Sequence, residues 1–312
     1  MPKVSVIIPT YNRAHYITQA LESVFAQTFR DFEVVVVDDG STDNTKEALS
    51  TYMESIRYIR QENRGEAAAR NSGIRASTGE WVAFLDSDDM WEPQTLETLI
   101  EASRVNPDAG LIAMRARAIR SDGSRTNRTF GKKKVDLSFT TKSLLWGESG
   151  AIMMPMVRRH LFEKVGGFDE SIPSAADCDM WLRLSFHTRM VGVPEPLLLC
   201  RIHGENVSGD RSLNARMWIR ILEKFSAEHP EFVRSHPWFF RRAMGKESIR
   251  LGRELLALSS GNAATLREAR CYLLRSIATF PFFLRAYVYL LWSYIFPESY
   301  ERWRKWERSR RV

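Results

Sequence analysis

Three carboxylates crowd into four residues at Asp86-Ser87-Asp88-Asp89, directly after the apolar run Trp81 to Leu85. Like charges packed this closely repel, and a cation among them relieves the repulsion. Hard divalent ions such as Mg²⁺ or Mn²⁺ take oxygen ligands and use one or two carboxylates plus substrate phosphates. The other reading is an acidic turn capping a helix that begins near Glu92-Pro93. A second acidic pair, Asp177 and Asp179, lies in Ala176 to Leu184, where Met180, Trp181 and Leu184 recur at helical spacing. Two residues apart on a helix, these carboxylates point about 200° from one another, so only one can face a given reactant. Both can also be simple acids at a helix N-terminus, favoured by its dipole. His203 follows the apolar strand Pro196 to Arg201 directly and is flanked by Arg201 and Gly204. A loop histidine is more often a surface residue than a ligand, but this placement raises its interest.

The elements that must position these groups alternate. Val4 to Ile8 is nearly continuous and β-branched, as a strand buried on both faces should be. Asn12 is placed to cap a helix whose apolar face is Ile17, Ala20, Leu21, Val24 and Phe25. Glu33 to Val37 is a second strand, Thr42 to Tyr52 a helix, Ile56 to Arg60 a third strand, Gly65 to Ala76 an Ala-rich helix and Trp81 to Leu85 a fourth strand. Short connections between alternating strands and helices predict a mostly parallel sheet covered by helices, with ligands bound beyond the carboxyl ends of its strands. Those ends are Pro9-Thr10-Tyr11-Asn12-Arg13, Asp38-Asp39-Gly40 and Asp86-Ser87-Asp88-Asp89, all on one edge. Neither a Gly-x-Gly-x-x-Gly nor a Gly-x-x-x-x-Gly-Lys-Ser/Thr run is present, which excludes a Rossmann dehydrogenase and a P-loop NTPase. Further on, a helix from Glu92 to Arg104 precedes an arginine-bearing hairpin from Leu111, and a short helix is expected over Val157 to Val165. The hairpin arginines suit either a solvated, charge-protected edge or a substrate-facing surface.

The chain has 312 residues, 44% of them hydrophobic, enough for one large core or two modest ones. Its formal charge of +7 is unevenly spread. Residues 115–134 carry eight bases against Asp122 alone, and residues 298–312 carry six against three acids. Such patches imply an anionic partner: phosphate, lipid headgroup or nucleic acid. No nucleic-acid-binding motif accompanies them, and a nucleic acid is not expected. No uncharged apolar stretch is long enough to span a bilayer, and the run after Lys3 is too short for a signal peptide, so a cytoplasmic protein is expected. Cys178, Cys200 and Cys271 are odd in number and widely spaced, which suits reduced, buried thiols.

Seven segments in order resemble the family 2 glycosyltransferases of the GT-A fold. They are Val4 to Arg13, Val37 to Asp43, Ala69-Arg70-Asn71-Ser72-Gly73, Phe84 to Asp89, Val165 to Glu170, Asp177 to Arg183 and Arg201 to Asn206. Each is weak alone; all seven in this order, across residues 1–208, are specific. The resemblance implies a GT-A domain over residues 1–210 with an α-helical extension over 211–312. It implies transfer of a sugar, with inversion, from a nucleoside diphosphate sugar, a UDP-sugar first, to a saccharide or lipid-linked acceptor. Pro9, Thr10, Tyr11, Arg13, Asp39, Arg70 and Asp86 are then expected on the donor. Asp88 and His203 are expected at an Mg²⁺ or Mn²⁺ ion, and Asp177 is expected as the base. One departure stands out: the family usually has Glu-Asp where this chain has Ala176-Asp177. Asp179 is therefore a competing base, and a non-catalytic nucleotide-sugar-binding module is the alternative reading of the whole.

Beyond Leu213 strand signals stop, and helices are expected over Trp218 to His229, Trp238 to Leu258 and Thr265 to Phe280. The stretch Phe280 to Pro297 is rich in Trp and Tyr and precedes the basic run. It reads either as an ordinary packed helix or as a segment, 280–312, that lies on an anionic membrane surface at the inner face.

Overall fold

The computed structural model describes residues 1–131, 138–148, 152–203, 210–259 and 262–295. The chain divides into two compact units, Met1–Asn206 and Val207–Val312.

The first unit is built on a sheet in the order β3-β2-β1-β4-β8-β6-β9-β5, with β7 paired to β6. Its strands are β1 Val4–Thr10, β2 Phe32–Asp38, β3 Arg57–Arg60, β4 Trp81–Phe84, β5 Met90–Trp91, β6 Ala109–Ile119, β7 Arg125–Phe130, β8 Met153–Arg158 and β9 Arg189–Arg201. The helices between them are α1 Ile17–Phe25, α2 Thr45–Ala48, α3 Glu66–Ala76, α4 Thr95–Val105, α5 Thr141–Ser143, α6 His160–Val165 and α7 Ala176–Leu184. Strands β1 to β4 are mutually parallel, as the buried apolar runs of β1, β2 and β4 predict, with β3 at the partly exposed edge. On one face Val4, Val6, Ile8, Val34 and Val36 join Leu21 and Val24 of α1 in a fully buried core.

β8 enters antiparallel between β4 and β6, and β9 then runs parallel to β6. Val157 pairs with Val82 and Leu111 as part of β8, so the helix expected from Val157 begins only at His160. A β-branched residue with strands on both sides prefers the ladder. Asn12 does not cap α1, whose N-cap is Tyr16. Asn12 instead takes a left-handed backbone (φ 52°), which Asn tolerates, and its Oδ1 accepts from the Thr42 and Asp43 amides. The helix expected over 42–52 shrinks to α2 and a 3₁₀ turn at Ser50–Tyr52. Cys178 is buried and Cys200 half-buried, but Cys271 is exposed, against expectation.

The second unit is helical: α8 Arg211–Glu228, α9 Pro230–Ser235, α10 Pro237–Leu258, α11 Ala263–Thr279 and α12 Leu284–Ile295. α8 starts seven residues before the expected Trp218 because Asp210 caps it, accepting from the Ser212 and Leu213 amides. Asn262 caps α11 in the same way, and Pro230 and Pro237 open α9 and α10 at positions where a missing N–H costs nothing. Leu251 and Leu255 of α10 are buried with Ala269 and Leu273 of α11. Among the described residues no helix is long and apolar enough to cross a membrane.

Candidate active site

The carboxyl ends of β1, β2, β4 and β9 converge, and the polar residues that follow them touch. After β4 the chain turns tightly, the Asp89 amide bonding the Asp86 carbonyl at 3.0 Å. β5 then pairs with the end of β9, Met90 opposite Leu199 and Trp91 opposite Leu198. This pairing sets His203 beside the turn: its Nε2 lies 2.9 Å from Asp88 Oδ2. From the end of β1, Arg13 brings its Nε to 3.6 Å from the same oxygen. Asp88 thus gathers a histidine and an arginine from strand ends 115 and 75 residues away.

The three clustered carboxylates separate. Asp86 accepts from Arg70 Nη2 at 2.9 Å. Burial raises its pKa to about 7 against the pull of Arg70, with Glu66 and Asp88 adding to the rise. Asp89 is buried; its Oδ1 accepts from the Arg201 amide at 2.8 Å, so it does not cap α4, whose N-cap is Gln94. Burial pushes Asp89 well above the usual carboxylate range, and Asp86 and Asp88 push the same way.

The residues expected on the nucleotide occupy the neighbouring ends. Pro9 and Thr10 close β1, both buried, and the Thr10 hydroxyl has no hydrogen-bond partner. Tyr11 is 44% exposed. Asp39 follows β2 and binds the loop before α3: Oδ1 accepts from Gln61 Nε2 and the Arg64 amide, Oδ2 from the Gly65 amide. Gly40 must be glycine, because it is left-handed (φ 81°) and a Cβ would sit 2.9 Å from the Asn63 nitrogen.

Asp177 stands in the first turn of α7, half-buried, its Oδ1 accepting from the Cys178 amide at 2.8 Å. Asp179 is buried on the other side, bonded to Arg183 at 2.7 and 2.9 Å; Arg183 also bonds the Val165 and Gly167 carbonyls. Immediately before α7, Ala175 is left-handed (φ 64°), a conformation that strains a non-glycine residue by about 1–2 kcal/mol. Arg70 lies between this helix and the strand-end cluster, interacting with both Asp177 and Asp86. Burial disfavours its charge, but the carboxylates of Glu66, Asp86 and Asp177 outweigh that and hold it protonated. Glu66 forms an ion pair with it, and its Cζ lies 5.5 Å from the Phe168 ring centroid.

The sequence profile of glycosyl transferase family 2 matches residues 5–166. The chain belongs to this family. An uncharacterised glycosyltransferase of Rickettsia prowazekii is 30% identical over 240 residues, covering 73% of this chain and 74% of its own. Among solved structures, S. aureus TarS 1–349 in complex with UDP-GlcNAc superposes with a TM-score of 0.61 at 22% identity, covering 89% of each chain. Mannosyltransferase PcManGT from Pyrobaculum calidifontis, in complex with GDP-Man and Mn²⁺, gives 0.57 at 20% identity, covering 94% of this chain and 88% of its own. At these identities the likeness shows the fold, a GT-A-type α/β sheet with a helical C-terminal region.

In this family 2 glycosyltransferase, three positioning residues escaped sequence reasoning. Arg201 is buried, and its Nε bonds the Asp88 carbonyl, Nη1 the Ser121 carbonyl and Nη2 Gln19 Oε1, each at 2.8 Å. One side chain so fastens the acidic turn to the β6–β7 turn and to α1. Its signal was an arginine closing an apolar strand two residues before His203. Asn71 of α3 donates to the Phe168 carbonyl and Glu170 Oε1 and accepts from the Phe168 amide. A Cβ on Gly167 would fall 2.3 Å from Asn71 Oδ1, so this approach needs glycine. Glu66 was legible only as the residue four before Arg70. The hairpin arginines largely bond their own surroundings: Arg115 meets the Pro194 carbonyl and Thr129, and Arg125 meets Glu92. Lys132, Lys133 and Lys134, the segment Gly204 to Ser208 and the basic run after Phe296 lie outside the described residues.

Proposed function

We propose that the chain is an inverting, metal-dependent glycosyltransferase that moves a sugar from a nucleoside diphosphate sugar to a hydroxyl of a saccharide or lipid-linked glycan. The acceptor would be a cell-surface polysaccharide precursor met at the cytoplasmic face of a membrane. The convergence of Arg13 and His203 on Asp88 carries this reading, since it builds one polar focus from separate strand ends at the ligand-binding edge.

The residues present fit a divalent ion. Asp88 and His203 supply one oxygen and one nitrogen at 2.9 Å from each other. Among the described residues no group of three His, Cys, Asp or Glu side chains forms a closed cage. An ion held by so few protein ligands completes its shell with diphosphate oxygens and water, as Mg²⁺ and Mn²⁺ do. When bound, it would supply Lewis-acid stabilisation of the departing diphosphate. Burial is the main cause of the raised proton affinities of Asp86 and Asp89, with neighbouring carboxylates adding to it, and a cation at this edge would favour their charged forms.

The side chains divide the remaining work. Tyr11 offers an exposed ring for the base to stack on. The unpartnered Thr10 hydroxyl and the remaining lone pair of Asp39 Oδ2 take the base and ribose. Arg13 neutralises a phosphate, and Asp86 holds Arg70 beside the donor. Asp177 is the base: it takes the acceptor hydroxyl proton while that oxygen attacks the anomeric carbon from the face opposite the diphosphate. The diphosphate leaves with the electrons of the broken bond, and inversion follows. The buried pairing of Asp179 with Arg183 favours Asp177 over it in this role.

Release of nucleoside diphosphate from a panel of UDP-, GDP- and dTDP-sugars with Mg²⁺ or Mn²⁺ tests the proposal. UDP-GlcNAc, the ligand in the TarS complex, is tried first. Metal-dependent release with an inverted product anomer is expected. Donor binding without turnover for every donor and acceptor tried would instead identify a binding module, in line with Ala176 in place of the usual Glu.

A further inference from the structure

Helix α12 packs through one narrow side. Ala286 and Ser293 are fully buried, and Arg270 of α11 bonds both the Ser293 hydroxyl and its carbonyl. The opposite side is apolar and open. Leu284, Val288, Leu291 and Ile295 recur at i, i+4, i+7 and i+11, and they are 75%, 56%, 61% and 55% exposed. On an α-helix these positions form one stripe. Tyr287 and Tyr294 border it, both exposed. The apolar surface continues beyond the helix: Phe282 is 74% exposed, and both it and Trp238 pack on Phe280. Contiguous exposed apolar surface of this kind is uncommon unless it binds something.

We infer that this face of α12, extended by Phe282 and Trp238, docks on a bilayer containing anionic lipids. Three observations select a bilayer. The aromatic residues are Tyr and Trp at the margin of an aliphatic stripe, the distribution suited to a headgroup boundary. The segment 280–295 contains Arg285 and no acidic residue, and residues 298–312 add six bases against three acids. A basic run that follows an apolar helix in the sequence complements an anionic surface, whereas pairing two copies would bring like charges together. At 12 residues the helix is about 18 Å long, too short to span and suited to lying flat.

The docking face rests on the transferase reading only in its expectation of a membrane-borne acceptor, and the test below is read without any sugar transfer. The full chain is sedimented with phosphatidylcholine vesicles and with vesicles in which about a third of the lipid is phosphatidylglycerol. Binding to the anionic vesicles, weakening as salt rises, is expected. The double variant Val288→Asp/Leu291→Asp should lower the bound fraction at least about tenfold with an unchanged circular dichroism spectrum, since both positions face solvent. Arg285→Glu should lower it less. The inference is overturned by a full chain that ignores anionic vesicles, by equal binding of the double variant, or by equal binding to neutral vesicles. It is also overturned if the double variant only converts a dimer to a monomer in analytical ultracentrifugation, which would assign the face to a second copy. Asp88→Ala should keep vesicle binding while losing donor binding, so the two readings fail separately.

Discussion

The acidic turn after β4 and the first turn of α7 solve the same problem in opposite ways. Each carries neighbouring aspartates and withdraws one of them, Asp89 or Asp179, into the protein. At α7 the withdrawn carboxylate meets a guanidinium, and Arg183 neutralises it locally. At the β4 turn it meets the Arg201 backbone amide instead, and burial, with Asp86 and Asp88 close by, raises its proton affinity. One region is therefore electrostatically closed and presents Asp177 alone. The other keeps three carboxyls close together, beside the histidine and arginine that converge on Asp88. Clustered carboxyls suit the divalent ion proposed above, and a lone carboxylate beside a closed pair suits the proposed proton acceptor, which must keep one geometry. Arg70 stands between the two, held by Glu66 and Asp86 and stabilised by Asp177.

Substitutions that remove one member at a time break or sharpen this contrast. The largest loss is expected for Asp88→Ala, which should cut donor turnover by about 10³-fold or more and abolish metal-dependent nucleotide binding by titration calorimetry. Asp177→Asn should lower transfer by about 10²–10⁴-fold while nucleotide binding stays at the wild-type level. If Asp177→Asn keeps full rate, the assignment of the base is wrong. Asp179→Ala should behave differently, leaving the Arg183 charge buried without its carboxylate and costing about 3 kcal/mol in denaturant unfolding. Asn71→Ala should cost about 1–3 kcal/mol, because the Phe168 amide and carbonyl lose their partner, and the loop before α7 should become more susceptible to proteolysis.

The smallest effect is expected at the amino-terminal end of β2. Burial opposes the charge of Glu33, but hydrogen bonds from Ser5 and Thr78, with Arg57 nearby, outweigh it and hold the carboxyl below its ordinary value. A depressed carboxyl contributes stability above its unfolded value, about 4.3, and loses it as pH falls through the folded value. Glu33→Gln should therefore flatten the acid limb of the stability curve by less than about 1 kcal/mol, because the group is partly solvated.

Much of the β1–β4 half was legible in the sequence alone. Its strands are buried on both faces, so their apolar runs are unbroken, and each ends where polar residues start. Those cues are local, and β1, β2 and β4 form where the runs predict. The other half was less legible for a physical reason: its elements are decided by partners far along the chain. Val157 reads as helical beside Leu161 and Phe162, yet the ladders to β4 and β6 make it a strand. Asn12 reads as a cap until Thr42 and Asp43 supply amides to its side chain.

The amino-acid sequence by itself determined the carboxylate-rich strand ends, their common edge, the helix carrying Asp177 and the helical character of the second unit, because buried strands and capped helices write their periodicity into neighbouring residues. Only the tertiary structure decided which aspartate of each cluster is withdrawn, that Arg201 fastens the acidic turn, that Arg70 joins the two regions and which side of α12 is left open. Those outcomes depend on which side chains the packed fold buries and, for Arg201 and Asp89, on a contact across 112 residues, and sequence spacing alone does not select them.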